Sequence, residues 1–214
     1  MASLNTFERI RALSFEYQTI MALYLCQRML PNYELFHQVT GFGDPKPLNS
    51  ALNACWDWVW QPKQVKVNFS RWQEKVEDVA PSEHGHDMLG VYPAMDACTA
   101  ISTLLQGLID NNGSDMLDVA KISQASVQKF LELTEGEHLD APDREKMLRE
   151  HELTGYEIEI QQAMLHFLES LYGTQPKPSK ELVQQIRAMV QEEGISNIGV
   201  DIEAPSAAQA RGAE

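Results

Sequence analysis

The chain has 214 residues, 43% of them hydrophobic, which is enough for one domain with a substantial core and too many for a disordered chain. Its 17 basic residues against 31 acidic ones leave a formal charge of −14, and the densest basic run, Arg9-Ile10-Arg11, sits beside Glu8. Phosphate binding needs clustered Lys and Arg, and anionic lipid repels an acidic surface, so no nucleic-acid and no membrane partner is expected.

Helical periodicity runs along most of the chain. Tyr17, Ile20, Met21, Tyr24 and Leu25 make a first apolar stripe. Pro31 interrupts it and can open a new turn, and Gly41 stops the helix before the loop "GFGDP". Leu48, Leu52, Cys55 and Val59 form a second stripe that ends at Pro62. The alternating piece Val65 to Phe69 follows, then Ser70 with Gln73, which reads as a capping box for a helix to about Ala80. A helix from Pro93 carries Ala94, Ala97, Cys98, Ile101, Leu104, Leu105 and Leu108 on one face. "DNNGSD" is a turn, and Val119, Ile122, Ser126, Phe130 and Leu133 mark the next helix, ending near Gly136. After Pro142 one long segment carries Leu153, Tyr156, Ile160, Phe167 and Leu171, and "GTQPKPSK" breaks it. Leu182, Ile186 and Met189 form a last helix stopped by Gly194. Ile198, Val200 and Ile202 alternate like a strand, which pairs with Val65–Phe69 or lies as an extended tail. The expected fold is all-α: an antiparallel bundle of about seven or eight helices with a short extended C-terminal tail. Residues 1–203 form a single domain and 204–214 a disordered tail.

Four blocks carry a resemblance: "PNYELFHQVTGFGD" from Pro31, "KVNFSRWQEKVEDVAP" from Lys66, "GVYPAMDACTAISTLL" from Gly90 and "GISNIGV" from Gly194. In that order they resemble the YjaG-like family of bacterial proteins, a domain-of-unknown-function family, over roughly residues 10 to 200. The resemblance implies an all-α bundle and no particular reaction, cofactor or catalytic residue. Two departures stand out. Gln27 replaces an expected Glu before Arg28-Met29, and "EHGHD" replaces an expected histidine-free linker.

The loop "SEHGHDMLGVYPAMD" places His84, His86, Glu83 and Asp87 together. Zinc needs three or four ligands at about 2.0–2.3 Å, and these are all local to a loop with Gly85 between the histidines. The preferred reading is a solvated linker, with no metal and no cofactor. A di-iron carboxylate bundle needs two Glu-x-x-His pairs, and Glu135–His138 stands alone beside Gly136. No nucleophile elbow, P-loop or dinucleotide fingerprint occurs. Cys26, Cys55 and Cys98 are widely spaced and odd in number, the usage of a reducing cytoplasm, and read as inert core thiols. The apolar run Ile20 to Cys26 is too short to span a bilayer, and no cleavage site follows it.

The polar residues left inside the family-like blocks are Asp44, Asn68, Tyr92, Asp96 and Asn197. Each has a local backbone task available, Asp96 in the first turn of its helix for example, and each is a candidate ligand-binding residue should a pocket gather them. "WDWVW" packs three indoles into five residues, more than one core face takes up; either one lies half-exposed at a helix edge or an exposed one marks a contact surface. The reading is a non-enzymatic cytoplasmic helical interaction or regulatory protein, a homo-oligomer (dimer) or bound to a protein partner. The alternative is a small-molecule- or metal-dependent enzyme with its site in a bundle cavity.

Overall fold

The computed structural model describes residues 5–171 and 174–201. Among them lie nine helices and no strand. They are α1 (Thr6–Ala12), α2 (Phe15–Thr40), α3 (Lys46–Val59), α4 (Phe69–Asp78), α5 (Val91–Asp110), α6 (Gly113–Thr134), α7 (Ala141–Glu150), α8 (Glu152–Leu171) and α9 (Lys180–Glu193). The all-α reading holds.

The centre of the molecule is α2, which packs against α1, α3, α5, α6, α8 and α9. From Tyr17 to Cys26 every residue of α2 is buried, whichever way it points. A helix apolar on all sides has no solvent face and must be wrapped by others. Pro31 lies inside α2 without ending it. Proline deprives the carbonyl four residues earlier of its helical hydrogen bond, a local loss that the surrounding packing of so buried a helix outweighs.

The path of the chain fixes what meets what. The Tyr33 hydroxyl donates to the Val79 carbonyl at 2.8 Å, and the Phe36 ring meets His86 at 5.0 Å. The C-terminal half of α2 therefore lies beside the segment that leads into α5, and α2 and α5 run antiparallel. α6 starts beside Gln18, so closely that any side chain at Gly113 would collide with that amide. At Ser123 it has reached the level of Asn32, since Asn197 bonds to both, so α2 and α6 run parallel. One end of the bundle thus collects the end of α2, the start of α5 and the end of α6.

Local chemistry moves several expected boundaries. The cap of α4 is Asn68, whose side chain accepts the Arg71 N–H at 3.0 Å; Ser70 and Gln73 lie inside the helix, and the Gln73 amide donates to Ser102 and Gln106. α5 begins at Val91, so Asp96 is in its second turn and not at the positive end of the dipole. The long segment after Pro142 is two helices. His151 is extended (φ −69°, ψ 138°), and its ring accepts the Leu153 N–H at 3.1 Å, which caps α8. Gly194 ends α9 at φ 70°, a left-handed position suited to glycine. The segment after it pairs with itself. Ile195 bridges Asp201, Ser196 N–H donates to Val200 at 2.7 Å, and the Ser196 hydroxyl accepts from Ile198 and Val200. It forms a closed loop and makes no ladder with Val65–Phe69; Ile202 and the expected disordered tail lie outside the described residues.

Candidate functional site

The most unusual chemistry is inside the bundle. Tyr24, Arg28 and Asn32 follow one another at four-residue intervals on one stripe of α2. Arg28 is 0% exposed and Glu157 of α8 is 1% exposed, and Arg28 Nη1 meets Glu157 Oε2 at 2.6 Å. Arg28 Nε stands 2.8 Å from Glu193 Oε2 at the end of α9, close enough for an ion pair but not aligned as a hydrogen bond. The Tyr24 hydroxyl donates to Glu193. Glu157 Oε1 accepts from the Ser123 hydroxyl at 2.7 Å and the Gln161 amide at 2.8 Å, and Gln161 also donates to the Ala120 carbonyl at 3.1 Å. Asn32 Nδ2 donates to Asn197 Oδ1 at 2.8 Å, and Asn197 Nδ2 donates to the Ser123 carbonyl at 3.2 Å. One connected network therefore ties α2, α6, α8, α9 and the C-terminal loop.

Its electrostatics are those of an ion cluster buried at Arg28 and Glu157 and reaching the surface at Glu193, whose side chain is 17% exposed. Burial alone would lower the Arg28 pKa, but the charge and hydrogen bond of Glu157, with Tyr24 and Glu193 adding, hold it above the ordinary value. Burial, then the hydrogen bond and charge of Glu193, push the Tyr24 hydroxyl far up, so it stays a donor. None of its side chains lines either cleft described below, and it ties five segments of the chain together.

The five sequence candidates do not form one site. Asp44 is exposed, and its carboxylate accepts the Lys46 N–H at 2.9 Å, a turn at the start of α3. Asn68 caps α4. Asn197 belongs to the buried network. Tyr92 and Asp96 share a niche on α5 facing α6: Lys129 Nζ lies 5.4 Å from the Tyr92 ring centre, and Asp96 is half-buried beside Ser126 and Lys129. Burial raises the Asp96 pKa, while the Ser126 hydroxyl and the Lys129 charge pull it back. The Ser126 oxygen is itself buried without a well-formed hydrogen bond. Tyr92, Asp96 and Asn197 thus all meet one stretch of α6, Ser123 to Lys129, whereas Asp44 and Asn68 lie elsewhere.

This niche adjoins a cleft of about 370 Å³ lined by Leu89, Lys129, Glu132, Leu133, Glu137 and Arg144, with Arg144 paired to Glu132 at 3.2 Å. The histidine loop passes the same end of the bundle. His84 is exposed, but the His86 ring packs edge-on against Phe36 and Phe42, at 5.0 and 4.9 Å. His86 is therefore a packing residue, not a solvated one. Among the described residues no three His, Cys, Asp or Glu side chains stand close enough together to hold a metal ion.

The indoles of "WDWVW" find partners within the chain. Trp56 is fully buried and donates to Gln27 Oε1 at 3.3 Å, Trp58 packs edge-on against Phe69, and Trp60 is half-buried under Lys180. Trp58 and Trp60 are each only half-buried, as an indole at a helix edge would be. All three thiols are free and buried, and burial pushes each up, Cys98 to about 12, which leaves them unreactive. Sequence periodicity placed Tyr24 on an apolar stripe and singled out none of Arg28, Glu157, Gln161 and Glu193. The available signal was a cation and a tyrosine four apart within the most apolar stripe of the chain.

Comparison with known proteins agrees with the fold. The family model described as "Protein of unknown function (DUF416)" matches residues 5–201. The uncharacterized protein YjaG of Escherichia coli (strain K12) is 35% identical over 189 residues, covering 87% of this chain and 91% of that one. An uncharacterized protein of Haemophilus influenzae is 31% identical over 190 residues, covering 88% and 92%. The crystal structure of a DUF416 family protein from Shewanella baltica OS155 superposes with a TM-score of 0.85 at 36% identity, covering 94% of this chain and all of that one. On a family match that spans nearly all of the described residues, with relatives alike over most of their length, the chain belongs to the DUF416 family.

Proposed function

We propose that this is a non-enzymatic interaction or regulatory protein of the cytoplasm. It pairs with a second copy of itself through the end of the bundle where α2 and α6 finish and α5 begins. One observation carries the reading. Leu35 (43% exposed), Val39 (63%) and Leu89 (44%), three of the four large apolar side chains exposed among the described residues, lie on segments that meet at that end, and Leu89 also lines the cleft. Leu35 and Val39 are one turn apart on α2, on the stripe that Asn32 begins. A contact between two copies about a two-fold axis places one patch against itself, so the patch must carry both charge signs or none. Over most of a chain of charge −14 that condition fails. The cleft meets it, with Lys129 and Arg144 against Glu132 and Glu137. The free, buried thiols suit a reducing compartment. Sedimentation of the wild type against Val39→Glu with Leu89→Glu tests the pairing.

A second reading rests on Asp96. A half-buried carboxyl of raised pKa beside Tyr92 and Lys129, at the lip of a cleft, is the kind of group a small-molecule site employs. Native mass spectrometry separates the two. A doubled chain mass without adduct supports pairing, and a bound metabolite lost in Asp96→Asn supports the small-molecule site.

A further inference from the structure

A second cleft, of about 450 Å³, lies between the end of α3 and the first turns of α9. Its volume is that of small-molecule pockets, about 300–1,000 Å³. Trp60 and Val183 give it apolar walls, Lys180 and Arg187 reach it from α9, and Asp57 reaches it from α3. Two features make it more than a surface groove. Lys180 Nζ, on an exposed and flexible side chain, stands over the half-buried Trp60 ring at 5.9 Å from its centre, so a cation is already held at the indole face. Arg187 Nη2 donates to Asn53 Oδ1 at 2.6 Å, which fixes one edge of the guanidinium and leaves the fork pre-oriented. Two cations face one carboxylate, a local excess of one positive charge on a chain of −14.

We propose that this cleft binds a small planar monoanion, an aromatic carboxylate, with its ring stacked on Trp60 and its charge between Lys180 and Arg187. A ring alone would leave the one excess positive charge unanswered, and an anion alone would leave the indole face in water. A second acidic group on the ligand would meet Asp57. The site is separate from the surface proposed for pairing, so either can fail without the other.

The test follows the four tryptophan indole N–H signals by ¹H–¹⁵N spectroscopy during titration with 2-naphthoate, the Trp60 signal being assigned with Trp60→Phe. The expected result is a saturable shift of that one signal. Affinity should fall about tenfold or more for the uncharged 2-naphthalenemethanol, and likewise in Lys180→Gln and in Arg187→Gln. Lys180 is exposed, so its variant keeps the test intact should loss of Arg187 disturb the fold. The proposal is overturned by no saturable shift at about 10 mM naphthoate, by equal binding of the uncharged alcohol, or by a shift that survives both substitutions.

Discussion

Arg28 on α2 and Glu157 on α8 meet at 2.6 Å with both side chains sealed from solvent, 129 positions apart in the chain. Taking two charges out of water costs several kcal/mol per ion, and their attraction does little more than repay it. The pair is therefore poor as a source of net stability and strong as a constraint. Any arrangement that fails to bring α2, α8 and α9 together leaves a bare charge in the core.

Removing one partner exposes that asymmetry. Arg28→Met leaves Glu157 buried and uncompensated and is expected to cost about 3–5 kcal/mol. Replacing Arg28 and Glu157 together by apolar residues of similar size is expected to cost much less than the two single changes summed. Urea unfolding of the singles and the double provides the measurement. Additive losses would show that the two groups act independently.

Asn197 holds the C-terminal loop in the core through Asn32 and the Ser123 carbonyl. Asn197→Ala strands both partners and is expected to cost about 1–3 kcal/mol. Hydrogen exchange should rise first at Ser196 and Gly199, whose N–H groups close the loop. Unchanged protection there would mean that the loop is held by other contacts.

Asp96 gives a pH dependence of definite sign. Its folded pKa lies above the ordinary aspartate value of 3.8, chiefly through burial. A carboxyl raised in the folded state favours folding while protonated, and that contribution is lost as pH rises through the folded value. At neutral pH the ionised group is thus a cost. Asp96→Asn is expected to stabilise the protein at about pH 7, with a gain that shrinks to nothing below the unfolded pKa, near pH 3. A gain that is constant across this range would trace to packing and not to ionisation.

The two loop histidines should behave differently. His84→Ala is expected to be silent. His86→Ala removes edge-on contacts to Phe36 and Phe42 and is expected to cost about 0.5–1.5 kcal/mol. Thermal unfolding of the two single variants measures this. Equal effects would contradict the packing assigned to His86.

These residues also mark what the sequence made legible. Apolar periodicity located the main helices, because each stripe is a face that must be buried. It could not tell that α2 is buried on every side from Tyr17 to Cys26. Arg28 therefore read as the charged end of an apolar run, when it is the ionic centre of the fold. The break at His151 was hidden because its helix cap is a histidine ring, not one of the usual Ser, Thr, Asp or Asn caps. The three indoles looked like a surplus because Trp60 falls just beyond the end of α3 and turns toward α9, a partner far along the chain. Tyr92, Asp96 and Asn197 were picked out as polar residues inside the family-like blocks. That all three meet α6 between Ser123 and Lys129 is a tertiary fact with no local trace.

The measurement that bears most directly on the proposed function is sedimentation equilibrium of the full chain, alongside Val39→Glu with Leu89→Glu. The wild type is expected to weigh twice its 24.2 kDa chain mass. The variant, with unchanged helical circular dichroism, is expected to weigh one chain. A wild type that remains a single chain at about 100 μM, or a variant that still pairs, would contradict the account.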